Sequence, residues 1–318
     1  MSKGTKIRFF AENTLPVIVA AVVSIVALVM LFNPSYGLTS NEVDPKVLDN
    51  MSSPLGLLSE KQSLENAGEL RFEYGTLNKE EILTGDDPAV VYIGKDEISK
   101  GLVYIKIVGA NESKLRVLLV PKDSEFDGTS MRPYGEGYYP LTHGPGEYLF
   151  VVLGKQNDDV YKEVFRTNFI AKFEADEPYK YSNVFSKYSY ESELAKKAYE
   201  LTYKLDGRDA KAKRVKNYLS RNYRYAYGSE GAHELVDNDE SYERGEGVCY
   251  HYASLYSSMM KSIGIPTREV RGFLNGDDAK YHAWNEYLND ENEWVLIDST
   301  GVVQESGYEY IKTEFSER

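Results

Sequence analysis

The sequence predicts an α+β chain of three parts: an N-terminal membrane-spanning helix, an all-β sandwich, and a C-terminal domain of helices packed on an antiparallel sheet. Three observations carry that expectation. One uncharged apolar run lies near the N-terminus. Short β-branched and aromatic runs, closed by Gly, Pro or Asn, fill residues 71–175. Past Asp176 the apolar period becomes helical and then returns to two, helices first and strands after.

The apolar run is Leu15–Phe32, LPVIVAAVVSIVALVMLF. At 1.5 Å per residue it nearly matches a bilayer core of ~30 Å. Lys3, Lys6 and Arg8 precede it against a single acid, Glu12. The positive-inside rule therefore keeps the tip cytoplasmic and exports the rest. Residues 1–37 are read as tip and anchor, giving a single-pass cell-membrane protein. The alternative is a secretion signal cleaved near Ser35-Tyr36-Gly37, a poor match to a small-x-small site. Residues 38–70 have mixed polarity without periodicity and read as a linker.

In residues 71–175 the strand candidates are 101–109, 114–121, 146–154 and 160–175. In the last, Phe165, Thr167, Phe169, Ala171 and Phe173 fall on one face at period two. Short strands at this spacing suggest an immunoglobulin-like sandwich. His143, in THGPGE, reads as a structural turn residue.

Residues 176–318 form the third part. Leu194, Ala198, Leu201 and Leu205 define an amphipathic helix over 192–205, and Val215, Tyr218 and Leu219 a second over 208–223. The stretch 236–246, VDNDESYERGE, reads as an acidic solvated loop. Asp237, Asp239 and Ser241 have the spacing of a calcium-loop start. However, Tyr242 stands where glycine is required and Val248 where a glutamate is. Looser calcium binding is left open without support, and no cofactor is required. A third helix follows, ended by Gly264-Ile265-Pro266. Its buried stripe is Tyr252, Ala253, Tyr256, Met259, Met260 and Ile263, with Ser254, Ser258 and Ser262 on a more polar side. Strands are expected at 267–273, 281–288 and 293–300.

The chain carries 37 Lys+Arg against 50 Asp+Glu, a net charge of −13. No basic cluster could meet phosphates, which argues against nucleic acid and against docking on anionic lipid. Cys249 is the sole cysteine, so it forms no internal disulfide. It sits at the start of the third helix. Unpaired N–H groups and the positive dipole end there stabilise a thiolate and can donate to an oxyanion. Gly245 and Gly247 leave the approach to the sulfur open. His251 lies about 200° round the helix from Cys249 and reads as a surface group, and His233 lies in a loop. His282 is the better base. An odd loop of three or five residues is expected between the last two strands, because residue i then faces residue 580 − i and an even loop would put His282 and Asp298 on opposite faces. His282 then opposes Asp298, Trp284 opposes Leu296 and Glu286 opposes Trp294, all on one face. Asp298 would orient the imidazole.

GEGVCYHYASLYSSMMKSIGIPTREVRGF, YHAWNEY and EWVLIDST resemble the transglutaminase-like family of papain-fold thiol enzymes. The resemblance covers about Ser192 to Thr300. It implies a papain-like domain with Cys249 as nucleophile, His282 as base and Asp298 as third member. It also suggests Tyr225, with Gly247 and Trp284, as oxyanion or substrate-site residues. The upstream strands resemble the β-domain that often precedes such modules in bacterial surface proteins. The implied activity is acyl transfer through a thioester at protein or peptide amides on the cell surface, ending in hydrolysis or cross-linking. The alternatives are a non-catalytic surface binding module and a structural role through an intermolecular disulfide.

Overall fold

The computed structural model describes residues 72–77, 89–124, 131–157, 160–227, 235–274, 277–301 and 310–317. The expected anchor and the 38–70 linker lie outside them. No described helix is long and apolar enough to cross a membrane.

The described residues of the first half form two antiparallel four-stranded sheets. One contains β1 (Phe72–Leu77), β2 (Ala89–Gly94), β3 (Leu102–Val108) and β6 (Gly137–Pro140), in the order β1-β2-β3-β6. The other contains β4 (Leu115–Pro121), β5 (Arg132–Pro133), β7 (Gly146–Asn157) and β8 (Val160–Ala171), in the order β5-β4-β7-β8. Alternate residues of both sheets meet in one core, among them Val91, Ile93, Val103 and Ile105 against Val117, Phe150, Val152 and Phe165. In β8 the expected period-two face is the inner one: Phe165, Phe169 and Ala171 are buried. On the other face of β4 and β7, Leu118, Val120, Leu149 and Val151 are also buried, which is why these strands read as unbroken apolar runs. His143 lies in the turn before β7, where its N–H donates to the Tyr148 hydroxyl at 3.0 Å.

Residues 176–188 pack on both halves. Pro178 approaches Gly101, whose φ of +67° and missing Cβ are both needed there. Phe185 joins the sandwich core, edge-on to Tyr139 at 5.7 Å. Tyr179 meets Trp294 at 5.1 Å, and the Arg268 guanidinium lies over the Trp294 ring at 4.3 Å.

Among the described residues the C-terminal half has four α-helices: α1 (Glu193–Thr202), α2 (Arg208–Asn222), α3 (Asn238–Arg244) and α4 (Cys249–Ser262). A two-stranded parallel ladder joins β9 (Arg224–Tyr225) to β10 (Glu246–Gly247). The sheet contains β11 (Thr267–Leu274), β12 (Asp277–Leu288), β13 (Trp294–Ile297) and β14 (Tyr310–Glu317), in the order β13-β12-β11-β14.

Two expectations need correction. The acidic stretch is not a loop but contains α3. Asp237 caps it by accepting from Glu240 N–H at 3.0 Å, acids occupy its first turn, and Gly245 ends it at φ +70°. Helix α4 has no solvated serine face. Every residue from Tyr252 to Ser262 is buried. Ser254 donates to Phe185 O, and Ser258 Oγ accepts from Asn238 Nδ2 at 2.7 Å. The serine face packs on residues 185–187 and α3, and its small hydroxyls satisfy groups those segments bring in.

Candidate active site

The site begins with β10. Gly247 is buried, and a Cβ there would lie 2.5 Å from the Tyr223 hydroxyl and 2.7 Å from His251 Cβ. This glycine therefore permits close packing, and Gly245 serves as the end of α3. Val248 is extended and Cys249 is the first residue of α4, half-buried and with a free thiol.

His251 is not a surface group. Its Nδ1 accepts from Val248 N–H at 3.3 Å, and its ring stacks on Tyr250 at 4.2 Å. Burial, then the charge of Arg244, push its pKa down to about 4, so it stays neutral and caps the helix.

His282 reaches the sulfur from β12, and the two side chains are hydrogen-bonded. Its Nε2 lies 2.8 Å from Asp298 Oδ2. The loop between β12 and β13 is odd, residues 289–293, but the register differs from expectation by two. Leu288 pairs with Trp294 and Asn285 with Ile297, so paired numbers sum to 582. Asn289 causes the shift. Its N–H donates to Glu293 O at 2.9 Å, and its side chain accepts from the N–H groups of Glu291 and Glu293, so the strands pair up to Leu288. His282 and Asp298 are thus not directly opposite. A shift of two keeps both on one face as diagonal neighbours, close enough to bond.

Asp298 lies just past β13 and is buried. Thr300 donates twice to Oδ1, from N–H at 2.9 Å and from Oγ1 at 2.7 Å. Tyr310, on β14, donates to Oδ2 at 2.9 Å. Thr300 and Tyr310 were not anticipated. A turn hydroxyl two residues after an aspartate is a readable signal, but Tyr310 is brought in by a strand pairing with no local signature.

The charges reinforce one another. Burial opposes ionisation of Cys249, but the hydrogen bond and charge of His282, the Ala283 N–H and the Arg271 guanidinium outweigh it and lower the thiol's pKa. Burial likewise disfavours the charged imidazole, yet Asp298 and Cys249 raise its pKa to about 9. Asp298 is lowered despite burial, through His282 and Thr300. The geometry favours a thiolate–imidazolium pair at neutral pH.

The remaining candidates are placed as follows. Trp284 is buried, stacked on His282 at 6.3 Å and edge-on to Tyr310 at 5.1 Å. It is a wall of the base rather than a surface open to substrate. Tyr225 is half-buried beside Gly247 in the β9–β10 ladder, with its ring 6.0 Å from Tyr252 and 4.8 Å from Tyr227. Among the described residues no group of three or more His, Cys, Asp or Glu could hold a metal.

A thiol heading a central helix, against an imidazole and carboxylate on an antiparallel sheet, is the arrangement of papain-like cysteine enzymes. The family model of the transglutaminase-like superfamily matches residues 195–299, and this part of the chain is a domain of that superfamily. A protein-glutamine gamma-glutamyltransferase of Pseudomonas aeruginosa is 31% identical over 88 residues, 24% of this chain and 12% of its own. The uncharacterized protein YebA of Bacillus subtilis is 28% identical over 124 residues, 32% of this chain and 17% of its own. This chain thus spans less than a fifth of either relative. The periplasmic domain of TgpA from P. aeruginosa aligns over 70% of this chain and 96% of its own, with 15% identity and a TM-score of 0.34.

Proposed function

We propose that the protein is a thiol acyltransferase or hydrolase acting on protein or peptide amides at the cell surface. The observation that carries this reading is His282 held between the Cys249 thiol and the Asp298 carboxylate. The thiolate attacks the amide carbonyl, and the first-turn N–H groups of α4 stand ready for the oxyanion. His282 gives its proton to the nitrogen as the C–N bond breaks, leaving a thioester on Cys249. An amine or water then attacks, His282 takes the incoming proton, and the thiolate is restored. The likeness to a gamma-glutamyltransferase supports a glutamine side-chain amide as acyl donor. Tyr225 and Gly247 belong to the proposed oxyanion or substrate region. No cofactor is required by this chemistry.

The same proposal includes export and a single-pass anchor at 15–32, supported by the apolar run and its basic flank. It also assigns the first half to the immunoglobulin-like class. β2-β3-β6 facing β5-β4-β7-β8 supports that class, as does Tyr148 near the start of β7, donating back to Gly144 O at 2.7 Å.

The test uses the sole thiol. Iodoacetamide should label Cys249 well below pH 8. Turnover on a glutamine-containing peptide library should follow a bell whose alkaline limb lies near pH 9, where His282 loses its proton. Cys249→Ala should show no turnover. Labelling with the pH dependence of an ordinary thiol, with no product from any peptide, would leave a binding module as the better reading.

A further inference from the structure

Tyr310 is bound to the site in two separable ways. Its ring packs edge-on to Trp284 at 5.1 Å and tilts toward His282 at 6.2 Å. Its hydroxyl donates to Asp298 Oδ2 at 2.9 Å, the oxygen that also bonds His282 Nε2 at 2.8 Å. Thr300 supplies both donors to the other oxygen. Each carboxylate oxygen thus accepts at least two hydrogen bonds, and His282 and Tyr310 share one of the oxygens. A shared acceptor offers each donor less negative charge than it would offer one alone. How firmly Asp298 holds a protonated imidazole then depends on whether the second donor is present.

We propose that Tyr310 is a positioning residue of the triad: its hydroxyl shares Asp298 Oδ2 with His282 and limits how tightly the carboxylate retains the imidazolium proton. The proposal rests on the thiol-enzyme reading above for its functional meaning, because His282 must release that proton to the leaving amine. A carboxylate with all its charge on one imidazole would make His282 a weaker acid. The strand that carries Tyr310 pairs with β11 at the sheet edge, so the C-terminal strand completes the triad's support.

Other groups face this cluster. Cys249 bonds His282 from α4, and Arg271 of β11 acts on the sulfur. Tyr252 of α4 and Lys216 of α2 feel the Asp298 charge. All four keep their side chains in a variant lacking only the Tyr310 hydroxyl, so that variant tests its contribution.

The experiment is a histidine NMR titration of the intact protein, wild type against Tyr310→Phe and Tyr310→Leu. Phenylalanine keeps the ring and leucine keeps only apolar bulk, so the hydroxyl is the change common to both. The His282 midpoint should rise in both by about half to one pH unit, the size expected of one hydrogen bond. An unchanged or lowered midpoint in folded Tyr310→Phe overturns the proposal, since a residue that merely packs would not move it upward. Iodoacetamide labelling of Cys249 in the same samples separates the two readings. Ordinary-thiol labelling in wild type would defeat the enzyme assignment, while the His282 shift alone decides the role of Tyr310.

Discussion

In the sandwich the largest buried side chains include Tyr139, Tyr148, Phe150, Ile93 and Ile105, and their polar atoms are settled close to home. The Tyr139 hydroxyl donates to Gly135 O at 3.0 Å and the Tyr148 hydroxyl to Gly144 O at 2.7 Å. Around α4 the interior is of another kind. It buries Lys261, Glu269, Arg271, His282, Asn285 and Asp298, and four of them, Lys261, His282, Asn285 and Asp298, bond groups far away in sequence. Lys261 Nζ reaches Ser186 Oγ at 2.6 Å, and Asn285 Nδ2 donates to Ala253 O at 2.9 Å. The first core rests on apolar area, which is non-directional and loses stability by degrees. The second rests on pairs, where removing one member strands the other. Chemistry is found in the second because a buried polar group must be aimed, and an aimed group can react.

The largest expected effect is on turnover. His282→Ala should reduce it by about 10⁶-fold, whereas Phe150→Ala should leave the labelling of Cys249 unchanged while costing about 3–5 kcal/mol in urea unfolding. Slowed labelling in folded Phe150→Ala would show that the two cores are coupled. Next in size, Lys261→Met should destabilise by about 1–3 kcal/mol, because it leaves the buried Ser186 hydroxyl without its Lys261 partner. Adding Ser186→Ala should recover most of that loss in urea unfolding, and failure to recover would mean that the Lys261–Ser186 bond is not the unit of stability. The smallest effect is expected at Gly247→Ala. The added methyl meets Tyr223 and His251, costs about 1–3 kcal/mol, and should slow Cys249 labelling by displacing the start of α4. Unchanged unfolding would show that the close approach is relaxed at little cost.

Local signals were sufficient where spacing alone settles the answer. The helices at 193–202, 208–222 and 249–262 follow from apolar period, and the strands at 102–108, 115–121 and 146–157 from short runs between turn residues. β2 and β6 were not singled out, and α3 was hidden because seven polar residues carry no apolar stripe. The hairpin parity was legible but its register was not. Parity depends on the count of loop residues, whereas register depends on how the Asn289 side chain folds the turn.

The sequence by itself determined that a lone thiol heads a helix and that, across an odd hairpin loop, a histidine and an aspartate fall on one face of a nearby ribbon. Helical and strand periods follow from bonds a few residues apart, so they can be read along the chain. Only the tertiary structure decided that α4 is buried on every side, that His251 caps rather than faces solvent, and that Tyr310 reaches Asp298. Each of those depends on a segment distant in the chain arriving at the same place, and distance along the sequence leaves no local mark of such a meeting.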